Sequence, residues 1–178
     1  MNISLRYLVL ELCLGTVRDY ICGKYLGKMP SEIDALKQMT HGLQYIHSQG
    51  FVHRDIKPAN VLISPTFVLK ISDFGFSRPV TQSGSFSTTS GPQGTKIYYA
   101  PEFLLLEETT PEERANIRAN VSIDIFSLGC LFFSYITKGG HPFAKPGKGS
   151  KNQFFITSNI VEGNKFIETN GKMSVQCC

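Results

Sequence analysis

Three short motifs in a fixed order constrain the fold of this chain more than any other feature of its sequence. Residues 53–60 read His-Arg-Asp-Ile-Lys-Pro-Ala-Asn, residues 73–75 read Asp-Phe-Gly, and residues 100–102 read Ala-Pro-Glu. An Asp-x-Gly tripeptide alone marks turns in many unrelated proteins. The octapeptide at residues 53–60 is far less common by chance. Finding all three motifs in this order by coincidence is therefore improbable.

The first two motifs bring together side chains that suit a charged site better than a core. Asp55 and Asn60 are five residues apart on one loop in which Pro58 restricts the backbone, so both can face one cleft. Asp73, on the next loop, can face them as well. Two carboxylates and an amide are oxygen ligands of the kind that magnesium prefers. The sequence therefore predicts a magnesium site, with the cation Lys57 close to Asp55.

The composition is that of a folded domain in a reducing compartment. The chain has 178 residues, of which 42% are hydrophobic and 18% charged, so it can bury a core. Its net charge of +4 comes from scattered Lys and Arg residues, which suits acidic phosphates but does not argue for nucleic acid. No signal peptide is visible. The cysteines are odd in number and form no C-x-x-C pair, which favours a reducing environment; they are Cys13, Cys22, Cys130, Cys177 and Cys178.

Apolar periodicity predicts two helices in the first third of the chain. A repeat over residues 17–21 predicts a short helix. A longer helix over residues 31–50 opens with a capping box formed by Ser31 and Asp34 and stops at a glycine. Its expected apolar stripe consists of Ile33, Leu36, Met39, Leu43 and Ile46. We expect His41 and His47 on the same helix to be ordinary surface residues.

Two more helices are expected in the second half. Residues 123–136 form the longest apolar run, which is shorter than the roughly 18–20 residues that span a bilayer. This run predicts a buried helix. A short helix is expected around Ile160.

Strands and loops are predicted from shorter patterns. The apolar run at residues 7–10 predicts a buried strand. Residues 61–63 and 67–69 flank a turn around Pro65 and predict a small hairpin. Residues 79–94 are rich in Ser, Thr, Gly and Gln without an apolar period, which predicts a mobile loop.

In their order, the three motifs resemble the catalytic half of protein kinases. The resemblance covers about residues 5–145, which would be the hinge and most of the C-terminal lobe, and leaves residues 146–178 as a poorly matched tail. It implies an α+β fold, namely a protein-kinase-like C-terminal lobe, mainly helical with a small β-hairpin. The N-terminal lobe would be essentially absent, because only ten residues precede the expected hinge at Glu11, and the chain would be truncated at both ends.

The resemblance also implies a reaction, the transfer of the γ-phosphate of ATP to a hydroxyl of a protein substrate, with ATP and Mg²⁺ as cofactors. Asp55 would be the catalytic base. Lys57 would stabilise the transferred phosphoryl group and thereby bind the nucleotide. Asn60 and Asp73 would hold magnesium and, through it, the nucleotide. A lysine two residues after Asp55 resembles Ser/Thr kinases.

Further family positions are matched in the hinge and around the two loops. Glu11 and Cys13 match hinge residues whose backbone groups bind adenine, and Leu62 matches the apolar residue beneath the adenine ring. His53 and Phe74 match a stacked pair that couples the two loops. Of these residues, Glu11, Cys13 and Leu62 would bind the nucleotide.

Two charged residues have implied roles outside the nucleotide site. Asp124 matches a buried carboxylate that anchors the loop at residues 53–60. Arg54, beside Asp55, suggests a pocket for a phosphate placed on the Ser/Thr-rich loop. The candidate acceptors in that loop are Ser83, Ser85, Ser87, Thr88 and Thr89.

A narrower resemblance rests on residues 11–13, 71–75, 124–130 and 140–143. These segments are similar to the inositol-requiring stress-sensor kinase–endoribonucleases of the unfolded protein response. In that family a membrane span precedes the kinase and a ribonuclease follows it, and neither is visible in this chain. The resemblance implies a cytoplasmic domain, a protein substrate that includes the protein itself in trans, and a homodimer. No nucleic-acid site and no membrane segment are expected in this chain.

A second interpretation stays open. Motif residues can persist in a chain that performs no chemistry. The alternative is a catalytically inert kinase fragment or pseudokinase-like module that binds partner kinases or nucleotide.

Overall fold

The computed structural model of the protein describes residues 9–146 and 152–167. Its helices within these residues are α1 (Val17–Ile21), α2 (Glu32–Ser48), α3 (Pro101–Leu104), α4 (Pro111–Ala115), α5 (Ser122–Ile136) and α6 (Gln153–Glu162). Its strands are β1 (Gly15–Thr16), β2 (Phe51–Val52), β3 (Val61–Ile63), β4 (Leu69–Ile71), β5 (Arg78–Pro79), β6 (Ser85–Ser87) and β7 (Arg118–Asn120). Short 3₁₀ turns lie at Pro58–Asn60, Phe74–Phe76, Lys96–Tyr98 and Leu105–Glu108. The expectation of a mainly helical α+β fold with a small hairpin is confirmed.

The strands pair antiparallel in small sheets. β3 lies between β1 and β4, so that Leu62 faces Thr16 on one side and Lys70 on the other. The predicted hairpin is confirmed, but its second strand begins at Leu69 instead of residue 67. The strand begins later because Phe67 has a left-handed backbone, with φ of 62°, and still belongs to the turn. β2 pairs with β5, and β6 pairs with β7.

Ser31 caps helix α2 as predicted, but the predicted capping box with Asp34 is incomplete. The hydroxyl oxygen of Ser31 accepts a hydrogen bond from the Asp34 amide at 3.2 Å, although the Asp34 carboxylate returns to the hydroxyl and not to the Ser31 amide. The buried face consists of Ala35, Met39, Leu43 and Ile46. Placing Ile33 in this stripe was wrong, since its side chain is 66% exposed. Ile33 lies two positions before Ala35, about 200° around the helix.

Helix α5 is the centre of the structure. Its residues Ile123 and Cys130 belong to one buried apolar cluster, and Leu128 and Leu131 belong to a second one that includes the buried face of α2. The prediction of a buried helix here is confirmed. Among the residues that the structure describes, no helix combines the length and the apolar character needed to cross a membrane.

Helix α6 confirms the short helix expected around Ile160. Ile156 and Ile160 are buried in the same cluster as Phe143, and the Asn159 amide donates to the Phe143 carbonyl at 2.9 Å.

The segment at residues 79–94 is more ordered than its composition predicts. β6 pairs with β7, placing Phe86 opposite Ala119, and Phe86 is buried against Phe103. Thr88 is also buried, and its hydroxyl donates to the carbonyls of Arg114, in α4, and of Ile117, just after it. The expected mobile loop is therefore wrong for this part. The strand that orders it comes from a distant segment, which local composition cannot reveal.

The N-terminal strand prediction fails where it can be checked. Residues 7 and 8 lie outside the described residues, but Val9 and Leu10 are 91% and 75% exposed and belong to no strand. The chain first pairs with β3 at Leu14, whose amide donates to the Ile63 carbonyl at 2.7 Å. The described cysteines, Cys13, Cys22 and Cys130, are free thiols.

Candidate active site

A buried carboxylate on α5 holds the 53–60 loop in place. Asp124 is fully buried, and its two oxygens accept hydrogen bonds from the backbone amides of His53 and Arg54, each at 2.8 Å. Nε2 of His47, on α2, lies 2.9 Å from the same carboxylate. A buried charge requires partners of this kind. The geometry fits the anchoring role implied for Asp124, whereas the expectation that His47 is an ordinary surface residue is wrong.

Arg54 is held in an unusual conformation beside the site. Its φ of 72° lies in the left-handed region that few non-glycine residues adopt. Its guanidinium is buried 5.6 and 5.5 Å from the ring centroids of Phe86 and Phe103, and it donates to the Gly91 carbonyl at 2.7 Å. Burial lowers the pKa of Arg54, and the positive charge of Arg78 lowers it further. These contacts tie the 53–60 loop to the segment around β6.

Asp55 lies at the centre of a cluster of donors. It is 4% exposed. Its Oδ2 lies 2.7 Å from Nζ of Lys57 and accepts a hydrogen bond from Nδ2 of Asn60 at 2.8 Å. Its Oδ1 accepts a hydrogen bond from the Thr95 hydroxyl at 3.1 Å. Nζ of Lys57 also donates to the Thr95 hydroxyl oxygen at 2.8 Å. The structure thus brings Asp55, Lys57 and Asn60 together, as the spacing predicts.

Thr95 is the member of this cluster that the sequence reasoning missed. Its approach depends on the preceding residue, because Gly94 has φ of 129° and a Cβ there would come within 2.8 Å of the Arg54 carbonyl oxygen. A Gly-Thr pair shortly before the Ala-Pro-Glu motif was the available signal. Thr95 lies 40 residues from Asp55, too far for a local sequence pattern to connect the two residues.

Asp73 lies on the adjoining loop. The Asn60 carbonyl accepts hydrogen bonds from the amide and the hydroxyl of Ser72, at 2.9 and 3.0 Å, which places the next residue beside the 53–60 loop. Asp73 is exposed with φ of 64°, and its carboxylate accepts one long contact of 3.4 Å from the Gly75 amide. The two loops are therefore adjacent, with the Asp73 carboxylate facing solvent.

The donor set fits a magnesium ion that also binds phosphate. Both protons of the Asn60 side-chain amide point to Asp55, at 2.9 Å from its carbonyl and 2.8 Å from its carboxylate, so the assigned amide orientation presents Oδ1 as a ligand. The exposed carboxylate of Asp73 is a second oxygen ligand. Magnesium is commonly bound by one or two such protein ligands together with substrate phosphates and water.

His53 couples the two loops. Its ring packs edge-on against Phe74 with centroids 5.1 Å apart, and its Nε2 lies 3.0 Å from the Ser72 carbonyl. Its Nδ1 accepts a hydrogen bond from the Asp55 amide at 3.2 Å, which assigns the proton to Nε2. The His53–Phe74 contact implied by the family resemblance is present, with the rings packed edge to face instead of stacked.

The predicted adenine-binding residues lie on or beside the β1–β3–β4 sheet. Leu62 is partly exposed on β3, opposite Lys70. The Lys70 ammonium pairs with the carboxylate of Glu11. Cys13 is half-buried and directly precedes the residue that pairs with the end of β3. Glu11 therefore contacts the β4 side of the β1–β3–β4 sheet, Cys13 lies just before β1, and Leu62 lies on the central strand β3.

Apolar side chains in residues 10–14 and in the Asp-Phe-Gly motif are open to solvent. Leu10, Leu12, Leu14 and Phe74 are all exposed. Exposed apolar side chains are candidates for a surface that another element or partner covers where they form a contiguous patch.

Comparisons with known proteins agree with the geometry. A family model described as the protein kinase domain matches residues 2–176. The serine/threonine-protein kinase/endoribonuclease ireA of Aspergillus fumigatus is 36% identical over an alignment of 193 residues that covers 89% of this chain and 16% of the relative. The serine/threonine-protein kinase/endoribonuclease ire-1 of Caenorhabditis elegans is 39% identical over 168 residues, with the same coverage of 89% and 16%. The chain thus spans about one sixth of the length of these curated relatives.

A solved structure supports the fold. A chain in the crystal structure of the yeast RNA Pol II CTD kinase CTDK-1 complex superposes with a TM-score of 0.62 at 23% identity, covering 84% of this chain and 43% of that one. At this identity the likeness concerns the fold alone.

Proposed function

The chain belongs to the protein kinase family, and we propose that it acts as the catalytic half of a serine/threonine protein kinase. The reaction is the transfer of the γ-phosphate of ATP to a hydroxyl of a protein substrate. The observation that carries this proposal is the buried Asp55 carboxylate surrounded by Lys57, Asn60 and Thr95 at 2.7–3.1 Å. Such a cluster orients one carboxylate and places a positive charge beside it.

Each residue has a separate role in the reaction. Asp55 accepts the proton of the attacking hydroxyl as its oxygen bonds to phosphorus and the bond to the ADP oxygen breaks. Lys57, paired with Asp55, offsets the negative charge of the transferred phosphoryl group. Asn60 and Asp73 would hold magnesium, which supplies further positive charge at the phosphates when bound.

The adenine would lie against the β1–β3–β4 sheet, beside residues 11–13. Backbone groups of Glu11 and Cys13 would bind its polar edge, and Leu62 would pack against its ring. Leu62 supports this assignment because it is partly exposed on a strand whose neighbours, Val61 and Ile63, are buried.

The wider assignment rests on the relatives. We extend the proposal to a piece of a stress-sensor kinase–endoribonuclease that lies on the cytosolic side of a membrane, forms a homodimer and phosphorylates itself in trans. Two relatives named as kinase/endoribonucleases, at 36% and 39% identity, support this extension. The prediction of a kinase domain at residues 5–145 with a tail at 146–178 belongs to the same proposal.

A non-catalytic binding module is the second candidate. The exposed apolar residues Leu10, Leu12, Leu14 and Phe74 favour it, because they offer a surface to a partner.

A transfer assay separates the two candidates. The chain is produced alone and fused behind the upstream lobe of a kinase relative, because its 178 residues contain no G-x-G-x-x-G motif, and labelled phosphate transfer to a generic protein substrate is measured. We expect transfer by the fusion that falls at least about a hundredfold with Asp55→Asn. Glu112→Gln, at an exposed site on α4, is the matched control and should retain transfer. Transfer that survives Asp55→Asn would remove Asp55 from the proposal, and no transfer by either protein would favour the binding module.

A further inference from the structure

The short turn that carries Thr95 is held by hydrogen bonds from two side chains that lie outside the three motifs. We call residues 95–98 the Thr95 turn. The Tyr98 amide donates to the Thr95 carbonyl at 2.9 Å, and the Tyr99 amide donates to the Lys96 carbonyl at 3.0 Å. A single 3₁₀ turn with two such bonds is only weakly stable by itself. Its position against Asp55 therefore depends on contacts with the rest of the structure.

Those contacts are made to the last two carbonyls of the turn. Carbonyl groups at the end of a helical turn lack partners within it. Here the Ile97 carbonyl lies 2.7 Å from Nε2 of His141, and the Tyr98 carbonyl accepts a hydrogen bond from the Ser127 hydroxyl at 2.6 Å. Ser127 lies on α5, and His141 lies in the loop that follows α5. Both side chains are more than nine-tenths buried.

His141 is set up as a permanent donor to the turn. Its Nδ1 accepts a hydrogen bond from the Phe143 amide at 3.3 Å, which assigns the ring proton to Nε2, facing the Ile97 carbonyl. Its ring also lies against Tyr98, with centroids 5.8 Å apart. Burial lowers the pKa of His141 to about 4, so the ring stays neutral and keeps this tautomer near neutral pH.

We propose that His141 and Ser127 are positioning residues, which fix the Thr95 turn so that the Thr95 hydroxyl reaches Asp55 and Lys57. Helix α5 then supports the site twice, through Asp124 beneath the 53–60 loop and through Ser127 beneath the Thr95 turn. Loss of either carbonyl contact lets the turn move away from Asp55. The catalytic consequence rests on the proposed phosphotransfer function, whereas the effect on the turn itself does not.

The test combines amide exchange of the full chain with kinetics of the fused kinase described above. His141→Phe removes the donor and keeps a ring, His141→Gln restores an amide donor at similar reach, and Ser127→Ala removes one hydroxyl. Ser122→Ala, at an exposed position on the same helix, is the matched control. We expect hydrogen exchange of the Tyr98 and Tyr99 amides to rise about fivefold to tenfold in His141→Phe and Ser127→Ala, as for the loss of one buried hydrogen bond. His141→Gln should recover most of the protection, and Ser122→Ala should match wild type.

Kinetics of the fused kinase then report on positioning. We expect KM for the protein substrate to rise roughly threefold to tenfold, with the nucleotide Kd changed less than about twofold. If wild type transfers no phosphate, the proposed function fails and the amide exchange alone decides this inference. If His141→Phe does not fold, Ser127→Ala carries the test. Exchange of the Tyr98 and Tyr99 amides in Ser127→Ala that equals exchange in Ser122→Ala would overturn the proposal.

Discussion

His47 and Asp124, 77 residues apart in the chain, meet with Nε2 of the imidazole 2.9 Å from Oδ2 of the carboxylate. This contact joins α2 to α5 at the point where the backbone of His53 and Arg54 also binds Asp124. The carboxylate is fully buried, so its charge depends on these three donor groups. The 53–60 loop is therefore held in place by this electrostatic contact between α2 and α5 as well as by apolar packing.

Asp124→Asn should lower the free energy of unfolding by about 3 kcal/mol or more, because an amide NH₂ group would face a backbone N–H donor in a buried place. His47→Phe should cost about 1 kcal/mol, since the backbone donors to Asp124 remain. Urea unfolding followed by circular dichroism measures both values.

The control for this pair is His41→Phe, an exposed substitution on the same helix. It should change the free energy of unfolding by less than about 0.5 kcal/mol. Equal effects of His41→Phe and His47→Phe would show that the His47 contact with Asp124 adds nothing to stability.

His141 should make stability depend on pH. Burial lowers the pKa of its imidazole from 6.5 to about 4, so between these values the unfolded chain binds a proton that the folded chain does not. The contribution of neutral His141 to the free energy of unfolding is complete above pH 6.5 and is lost as the pH falls toward 4. Between pH 7 and pH 5 the free energy of unfolding should fall by about 2 kcal/mol through protonation of His141 in the unfolded chain. The measurement is urea unfolding of wild type and His141→Gln at both pH values.

The comparison isolates this histidine. His141→Gln cannot titrate at this position, so the stability difference between the two proteins should shrink by about 2 kcal/mol at pH 5. Parallel pH dependence of wild type and His141→Gln would show that His141 does not titrate with the depressed pKa.

Local patterns were sufficient for helices α1, α2, α5 and α6 and for bringing Asp55, Lys57 and Asn60 together. Helix α2 has a cap at Ser31 and a regular stripe, and α5 is largely apolar, so both could be recognised from their own residues. Asp55 and Asn60 share one loop, so their spacing alone brought them together. In each case the information lies within a few residues or turns.

The contacts that the sequence did not predict join segments that lie far apart along the chain. His47 was expected at the surface because nothing near it in sequence indicates Asp124. Phe86 and Thr88 lie in a polar stretch whose partner strand, β7, begins at residue 118. Thr95 lies 40 residues from the carboxylate that it contacts. Such contacts depend on tertiary packing, which composition and period do not encode locally.

Magnesium should strengthen the binding of ADP, and Asp73→Ala should abolish the strengthening. The reason is that Asp73 is exposed beside the 53–60 loop and supplies the carboxylate oxygen of the donor set. Calorimetry of ADP binding with and without magnesium measures the effect on the full chain. Asp34→Ala, an exposed carboxylate on α2, is the control and should keep the magnesium effect. Equal ADP affinity of wild type and Asp73→Ala in magnesium would exclude Asp73 as a ligand.

A phosphate on the segment around β6 should bind at Arg54 only if it is placed near that side chain. Among the five acceptors expected from the sequence, Thr88 is a poor one, because it is buried and its hydroxyl donates to the Arg114 and Ile117 carbonyls at 2.9 and 2.8 Å. Ser90, which was not among them, is exposed, and its hydroxyl oxygen lies 3.4 Å from Nη1 of Arg54. Ser90 is therefore the acceptor best placed for this pocket.

Phosphate on Ser90 should protect the segment at residues 81–93 from proteolysis, since a group of about −1.5 to −2 charge can form charge-assisted hydrogen bonds with Arg54. Protein phosphorylated at Ser90 or, as the control, at exposed Ser83 is digested under limiting protease in wild type and in Arg54→Met, which keeps the apolar stem between Phe86 and Phe103. We expect several-fold slower cleavage for Ser90 phosphate in wild type, little change for Ser83 phosphate, and no protection in Arg54→Met. Protection that persists in Arg54→Met would assign the phosphate contact to another residue, because only the guanidinium has been removed.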